Sequence, residues 1–134
     1  MNPIDGLVPD WRALPGAPAP GTELCQLADV PADNGLERRF GPAGSGFSVV
    51  LFRAGESVCA FVNRCPHAGI ALNFGDDVFC LFDSDGQRDV ICPHHSALFR
   101  LPEGVCHEGP CRDDRLTPVP LAVEAGVVRI APAR

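Results

Sequence analysis

The fold is decided by two short segments, NRCPHAG at residues 63–69 and ICPHHSALF at residues 91–99. Each segment places a cysteine near a histidine, and thiolates and imidazoles are ligand types that suit zinc and iron–sulfur centres. Residues two apart in an extended chain project to the same side, so Cys65 and His67 can reach one metal centre. A proline follows each cysteine and fixes φ there, which stiffens both loops. The sequence therefore predicts two hairpin loops that share a metal site.

The rest of the chain predicts an all-β domain. Glycine and proline number 14 each, which favours turns, and no long stretch shows the apolar spacing of a helix. Apolar or alternating segments between turn residues indicate roughly 8–10 short strands. The candidate strands are 24–28, 38–41, 47–52, 57–63, 78–82, 89–91, 97–101, 116–123 and 127–130.

The N-terminal residues differ in composition from the rest of the chain. Residues 1–21 contain five prolines and little periodicity, which predicts an irregular Pro-rich arm. Trp11 is expected to attach this arm to the domain, because a lone tryptophan is unfavourable to leave exposed. Residues 22–134 are expected to form one domain, since a chain of this length can bury a single core.

Composition excludes several classes of function. Binding to nucleic-acid phosphates needs a basic face, so a formal net charge of -6 argues against such a partner. The longest apolar runs, such as 47–52, fall far short of the roughly 18–20 residues that cross a bilayer, so no membrane association is expected. The first ten residues lack the pattern of a secretory signal, which predicts a cytoplasmic protein. In that compartment seven cysteines indicate metal ligands or free thiols rather than disulfides.

The order of the four metal-binding side chains resembles the signature of the Rieske iron–sulfur family. That signature is Cys-x-His, a spacer and Cys-x-x-His, and this chain has Cys65-x-His67 and Cys92-x-x-His95. The resemblance covers residues 24–130. It also includes an aromatic residue, a glycine and a Gly-Pro pair downstream of the last ligand: Phe99, Gly104 and Gly109-Pro110.

The resemblance implies a fold, a cofactor and a ligand set. The fold is the Rieske type, with stacked small antiparallel sheets, cluster loops at 63–72 and 91–99, and a cover loop at 104–112. The cofactor is a [2Fe–2S] cluster in which two histidines replace two cysteines on one iron. Two cysteines would hold the inner iron and two histidines the outer iron: Cys65 and Cys92, and His67 and His95.

Several positions depart from the family pattern. Ser96 stands where the family usually has glycine. High-potential respiratory members carry a serine and a tyrosine that donate hydrogen bonds to the cluster sulfurs, and Ala97 and Phe99 stand at those positions here. The disulfide of those members is replaced by Ile70 and His94. These departures imply a reduction potential near roughly -150 mV rather than about +300 mV.

Zinc is the main alternative cofactor, because it also binds two cysteines and two histidines. Paired zinc ligands are usually separated by about two to four residues, whereas one residue separates Cys65 from His67, which favours the iron–sulfur cluster. Cys92-Pro93-His94 repeats the spacing of the first segment, so ligation through His94 stays open beside His95.

The other cysteines have simpler interpretations. Three of them lie on apolar strand segments and are expected to be small core residues: Cys25, Cys59 and Cys80. Cys106 and Cys111 bracket His107. They are expected to be thiols packed near the cover loop, with a second metal site or a redox-active pair as the alternative.

The resemblance implies a soluble one-electron carrier between a flavin reductase and a terminal oxygenase, similar to Rieske-type ferredoxins. The alternative is a redox or iron–sulfur sensor that binds a protein partner without turnover. Catalysis by the chain itself is not expected, because Rieske oxygenases need a further domain with a mononuclear iron. The small nitrite-reductase subunits of similar fold lack the four ligands, so the presence of these ligands here argues against that role.

The acidic pairs Asp76-Asp77 and Asp113-Asp114 are expected to be solvated, with steering of a basic redox partner as the alternative.

Overall fold

The computed structural model shows an all-β architecture. It describes residues 11, 16–40, 47–54, 57–64, 71–73, 79–84, 87–92, 97–109 and 114–131. The strands in these residues are β1 (Glu23–Gln26), β2 (Gly35–Phe40), β3 (Phe47–Ala54), β4 (Ser57–Val62), β5 (Cys80–Ser84), β6 (Gln87–Ile91), β7 (Leu98–Arg100), β8 (Val105–Glu108), β9 (Leu121–Glu124) and β10 (Val127–Ile130). A 3₁₀ turn, Leu27–Asp29, follows β1. Over these ranges the chain forms no helix that is long and apolar enough to cross a membrane.

The strands form three small antiparallel sheets, in the orders β1-β10-β9, β2-β3-β4 and β5-β6-β7-β8. The hairpin of β3 and β4 is regular, with Val49 opposite Val62. In the four-stranded sheet, Ile91 at the end of β6 lies opposite Leu98 at the start of β7. The second metal-binding segment therefore lies at the tip of the β6–β7 hairpin.

The central strand β3 of the sheet β2-β3-β4 is buried on both faces. Val50 and Phe52 of β3 contribute with Phe61 of β4 to a first core, shared with the four-stranded sheet. Val49 and Leu51 contribute to a second core, shared with the sheet β1-β10-β9. Successive side chains of a strand point to opposite faces, so a strand between two cores needs an apolar residue at every position. This explains the unbroken apolar run in β3.

Gly104, at the turn between β7 and β8, is required by space and by backbone conformation. Its φ is +76°, in the left-handed region that favours glycine. A Cβ there would lie 2.6 Å from Cε1 of Phe61, which is itself 1% exposed. The glycine expected downstream of the ligands therefore allows the β7–β8 turn to pack directly on the first core.

The sequence predicts the all-β class and most strands correctly. The segments predicted at 57–63 and 127–130 correspond to β4 and β10. Trp11 is 6% exposed, and its ring makes an edge-to-face contact with Phe47 at a centroid distance of 6.2 Å. The predicted attachment of Trp11 is therefore confirmed.

Two strand predictions are wrong. The sequence does not predict β8, because two of its four residues are polar, and it becomes a strand by pairing with β7. The strand predicted at 116–123 begins only at Leu121. Pro118 and Pro120 lack the N–H group that a continuous ladder needs, so the preceding residues form only an isolated bridge from Pro118 to Phe61.

Candidate metal centre

Of the predicted ligands, the structure describes Cys92. It follows β6 directly and is 0% exposed. Cys65, His67 and His95 lie outside the described residues, as does the alternative ligand His94. Within the described part of the chain, no group of three or more His, Cys, Asp or Glu side chains could hold a metal ion.

Both metal-binding loops are anchored in the first core, the first loop at its C-terminal end and the second loop at both ends. Leu72, just after the first loop, is 0% exposed and belongs to the first core. Cys92 and Ala97, at the two ends of the second loop, belong to that core and are also 0% exposed. Both loops are therefore fixed to one core, which is the arrangement expected if the loops share a metal.

The second loop is closed by backbone contacts. The amide of Cys92 donates to the carbonyl of Ala97 over 2.9 Å, which extends the β6–β7 hairpin by one hydrogen bond. Gly109, in the second half of the predicted cover loop (104–112), packs on Ala97. Its φ is +107°, and a Cβ there would lie 2.7 Å from Cα of Ala97. The predicted cover loop is therefore in contact with the second loop at this point; its residues 110–112 lie outside the described residues.

A buried ionic group connects the β6–β7 hairpin, which carries the second loop, with the neighbouring strand β8. Asp89 of β6 is 3% exposed. Its Oδ1 accepts from Nε of Arg100 on β7 over 2.6 Å, and its Oδ2 lies 3.0 Å from Nε2 of His107 on β8. Arg100 also donates to Gln87. Because three neighbouring strands contribute one side chain each, this group fixes the strands that carry the second loop.

The first loop is closed by side chains instead. Asn63, which follows β4, is 7% exposed. Its Oδ1 accepts from the amide of Leu72 over 2.7 Å, and its Nδ2 donates to Oδ1 of Asn73 over 2.9 Å. These two hydrogen bonds join the two ends of residues 64–71, the stretch that contains two of the predicted ligands.

Glu37 of β2 connects this closure to the central sheet. Its Oε2 accepts from Oγ of Ser48 over 2.5 Å and from Nδ2 of Asn63 over 3.3 Å, and its Oε1 accepts from Nδ2 of Asn73 over 3.4 Å. We call Glu37, Ser48, Asn63 and Asn73 the first-loop clamp. Burial alone would raise the pKa of Glu37, but hydrogen bonds from Ser48, Arg39 and Asn63 and the positive charge of Arg39 outweigh it and lower the pKa. Glu37 is therefore ionised at neutral pH.

Cysteines outside the ligand set mostly serve as core residues, as predicted. Cys25 is 6% exposed, and burial raises its pKa. Burial, followed by the negative charge of Glu103, raises the pKa of Cys59 to about 12. Cys106 is 1% exposed in the first core, and its Sγ donates to the carbonyl of Glu108 over 3.2 Å. The side chain of Cys80 and all of Cys111 lie outside the described residues.

Sequence patterns reveal neither the ionic group around Asp89 nor the first-loop clamp. The spacing groups His107 with Cys106 and Cys111, whereas the structure places it against Asp89. The position of Asn63, a polar residue at the end of an apolar strand and two residues before Cys65, is a signal that could have indicated a structural role. For Glu37 the sequence offers no signal, because its contact with Asn63 spans 26 residues.

The residues present fit a [2Fe–2S] cluster of the type that has two cysteine and two histidine ligands. The two loops contain two thiols and three imidazoles, so the two thiols and two imidazoles that such a cluster needs are present. The described thiol, that of Cys92, is buried in the first core, to which Leu72 at the end of the first loop also belongs. A buried thiol at this position matches a cluster that is covered by protein on one side.

Comparison with known proteins supports this assignment. The model of the Rieske [2Fe–2S] domain matches residues 22–125. No curated protein matches the chain. The ferredoxin of carbazole 1,9a-dioxygenase from Nocardioides aromaticivorans IC177 has a similar structure, with a TM-score of 0.63 and 22% identity over 86% of this chain and 100% of that one.

Two further structures are similar. One is a complex of reduced oxygenase and oxidized ferredoxin in carbazole 1,9a-dioxygenase, with a TM-score of 0.60 and 23% identity over 84% of this chain and 93% of the other. The second is assigned as the small subunit of an NADH-dependent nitrite reductase from Mycobacterium tuberculosis, with a TM-score of 0.61 and 23% identity over 84% and 95% of the two chains. These likenesses show the fold. Together with the family match, they show that the chain belongs to the Rieske [2Fe–2S] domain family, whose cofactor is a [2Fe–2S] cluster.

Proposed function

We propose that this protein is a one-electron carrier, not itself an enzyme, that works between a reductase and an oxygenase or a similar oxidoreductase. The observation that supports this function is the anchoring of both loops in one core, at Leu72 for the first loop and at the buried Cys92 and Ala97 for the second. A carrier needs a cofactor site that keeps its shape when the charge changes, because reorganisation slows electron transfer. Closure of the first loop by Asn63 and of the second by the Cys92–Ala97 hydrogen bond provides that rigidity.

We assign the cluster ligands as Cys65 and Cys92 on the inner iron and His67 and His95 on the outer iron. When bound, a cluster of this kind accepts and releases one electron. The protein holds the thiolates, excludes water from the Cys92 side and leaves the imidazoles as the route for the electron.

Metal content of matched variants tests the ligand assignment. The wild-type protein is expected to contain two iron and two sulfide ions per chain, as a [2Fe–2S] cluster requires. Cys92→Ser is expected to retain less than about a tenth of the iron, whereas Cys59→Ser, the same change at a core thiol, retains it. His95→Ala is expected to lose the cluster and His94→Ala to keep it. Full iron in Cys92→Ser, or zinc in the wild-type protein, contradicts the assignment.

We infer a reduction potential near the low end of the Rieske range, roughly -150 mV. Ala97 and Phe99 are both 0% exposed and carry no side-chain donor, so neither can supply the hydroxyl hydrogen bonds of high-potential members. Protein-film voltammetry is expected to show a reversible one-electron wave at that potential. A value above about +100 mV contradicts the inference.

Two classes of protein partner fit this carrier, a flavin reductase as donor and a terminal oxygenase as acceptor. The similar ferredoxin that was solved in complex with its oxygenase supports the second class. In anaerobic stopped-flow mixing, a flavoprotein reductase supplied with NADH is expected to bleach the visible absorbance of the protein within seconds. A loaded protein that exchanges no electrons with such reductases, but changes its affinity for a partner with cluster state, favours the sensor alternative.

A further inference from the structure

The first-loop clamp adjoins the first ligand loop at both of its ends. Asn63 is two residues before Cys65, so the Cα atoms of the two residues are at most about 8 Å apart. Asn73 lies on the opposite end of the same loop and is hydrogen-bonded to Asn63. An influence of the clamp on the cluster rests on the proposed function and on the ligands assigned to it.

Asn63 is the residue that closes the loop. It follows the last residue of β4, and its own amide donates to the carbonyl of Ser48 over 2.9 Å, so its backbone is fixed to β3. Its side chain then fixes Leu72, because the amide of Leu72 donates to Oδ1 of Asn63. The loop of residues 64–71 is thereby held at both ends by a single side chain.

Glu37 gives the clamp its orientation. An amide side chain has two donors and one carbonyl oxygen, and the acceptors around it decide which way it faces. Glu37 accepts from Nδ2 of both Asn63 and Asn73, so the Nδ2 group of Asn63 faces the carboxylate and its Oδ1 faces Leu72. Oδ1 of Asn73 and Oγ of Ser48 also accept from Nδ2 of Asn63, so the carboxylate of Glu37 is the charged member of the three acceptors that set this orientation.

The carboxylate also places a negative charge under the loop. The side chain of Glu37 is 9% exposed, whereas that of its ion-pair partner Arg39 is 69% exposed. Water screens the charge of Arg39 more strongly than that of Glu37, so the negative charge dominates the field on the protein side. A negative charge near a redox centre disfavours the addition of an electron.

We propose that Asn63 is the positioning residue of the first ligand loop, and that Glu37 both orients Asn63 and lowers the reduction potential of the cluster. The clamp thereby combines loop closure with tuning of the potential. Loop closure is a property of the chain itself, whereas tuning needs the bound cluster.

Voltammetry of Glu37→Gln tests the tuning. The substitution keeps the size of the side chain and one carbonyl acceptor but removes the charge. The equilibrium constant for reduction is expected to rise roughly three- to tenfold, and tenfold is about 59 mV for a one-electron couple. The matched control is Glu23→Gln, since Glu23 pairs with Arg129 on the sheet β1-β10-β9 and is expected to leave the potential unchanged. An unchanged or lower potential in Glu37→Gln overturns the tuning.

Arg39→Gln provides a second test that does not depend on whether Glu37→Gln folds. Arg39 is mostly exposed, so its loss is tolerated, and the removed positive charge is expected to shift the potential in the negative direction. A positive shift overturns the proposed sign.

Hydrogen–deuterium exchange, read by mass spectrometry on the protein as isolated, tests the closure of the first loop. In Asn63→Ala the amide of Leu72 loses its acceptor, and its exchange is expected to accelerate at least roughly tenfold. Asn34→Ala is the matched control, because it also removes a side-chain acceptor from a backbone amide, that of Phe79 instead of Leu72. Iron release to a chelator is expected to accelerate about fivefold in Asn63→Ala and to stay unchanged in Asn34→Ala.

The possible failures are distinguishable. If the wild-type protein holds zinc instead of iron and sulfide, the electron-carrier function and the tuning by Glu37 are both overturned, and Leu72 exchange still decides the closure. If the cluster is present but Leu72 exchange is the same in Asn63→Ala and Asn34→Ala, the positioning role is overturned while the carrier function stands.

Discussion

The two ligand loops are closed in different ways. The second loop lies between paired strands, so a backbone hydrogen bond from Cys92 to Ala97 closes it, and packing against Gly109 adds a second contact. The first loop leaves β4 and returns at Leu72, which belongs to no strand in the described residues. Because no strand pairing continues at Leu72, the side chain of Asn63 supplies the closing hydrogen bonds.

This difference has a consequence for sensitivity to substitution. Closure through a hairpin depends on space and backbone geometry, and most side chains are compatible with it. Closure through an amide depends on one residue type and on the acceptor that orients it. The second loop is therefore most vulnerable at its glycine contact, and the first loop is most vulnerable in the clamp.

The largest effect on stability is expected for Gly109→Ala. The added Cβ would meet the backbone of Ala97 at 2.7 Å, and the residue has φ of +107°. Strain and overpacking together are expected to lower the free energy of unfolding by about 2–4 kcal/mol.

Gly126→Ala is the control for this change, because Gly126 has φ of +80° with nothing within 4 Å of the added Cβ. Gly126→Ala is expected to lower the free energy of unfolding by about 1 kcal/mol, through the conformational penalty alone. Urea unfolding of both variants checks the difference, and equal losses would show that the contact between cover loop and second loop is unimportant.

The next effect is expected for Asp89→Asn, which weakens the ionic group behind the second loop. The amide can still accept from Arg100, but the charge that pairs with Arg100 is gone. Hydrogen bonds to charged groups contribute about 1.5–3 kcal/mol, so a loss of about 1–2 kcal/mol is expected in urea unfolding. Asp83→Asn removes an exposed ion pair with Arg88 and is expected to leave the urea concentration at the unfolding midpoint unchanged. Equal shifts in both variants would contradict the structural role of Asp89.

The ionised Glu37 is expected to make the stability of the protein depend on pH. Its pKa is lowered in the folded state, so it contributes stability above the pKa of an unfolded glutamate, and this contribution is lost as the pH falls through the lower folded value. The stability difference between wild type and Glu37→Gln is therefore expected to shrink as the pH falls below the ordinary glutamate pKa of 4.5, in urea titrations at a series of pH values. A difference that stays constant or grows on acidification contradicts an ionised Glu37.

The smallest effect concerns a thiol away from both loops. A pKa of about 12 leaves Cys59 with roughly a thousandfold less thiolate than an ordinary cysteine at neutral pH. Iodoacetamide is therefore expected to modify Cys59 in urea but not in the folded protein, as read by mass spectrometry. Rapid modification of folded protein would show that Cys59 is more accessible than the core packing indicates.

Sequence-based prediction works where the chemistry is local. The ligand spacing around Cys65 and Cys92, and the apolar run of β3, each depend on residues close together in the chain, so the family and the fold class follow from them. The polar groups that support the loops depend on contacts between distant strands. Asp89 meets His107 across two strand pairings, and Glu37 meets Asn63 across a hairpin, so neither contact has a sequence pattern.

Electron paramagnetic resonance of the reduced, anaerobic protein, with iron and sulfide quantified in the same sample, tests the central claim most directly. A [2Fe–2S] cluster with two histidine ligands predicts a rhombic signal whose average g value is lower than that of an all-cysteine cluster, together with equal amounts of iron and sulfide. A silent sample that contains zinc and no sulfide would contradict the claim and leave the two loops with a structural metal instead.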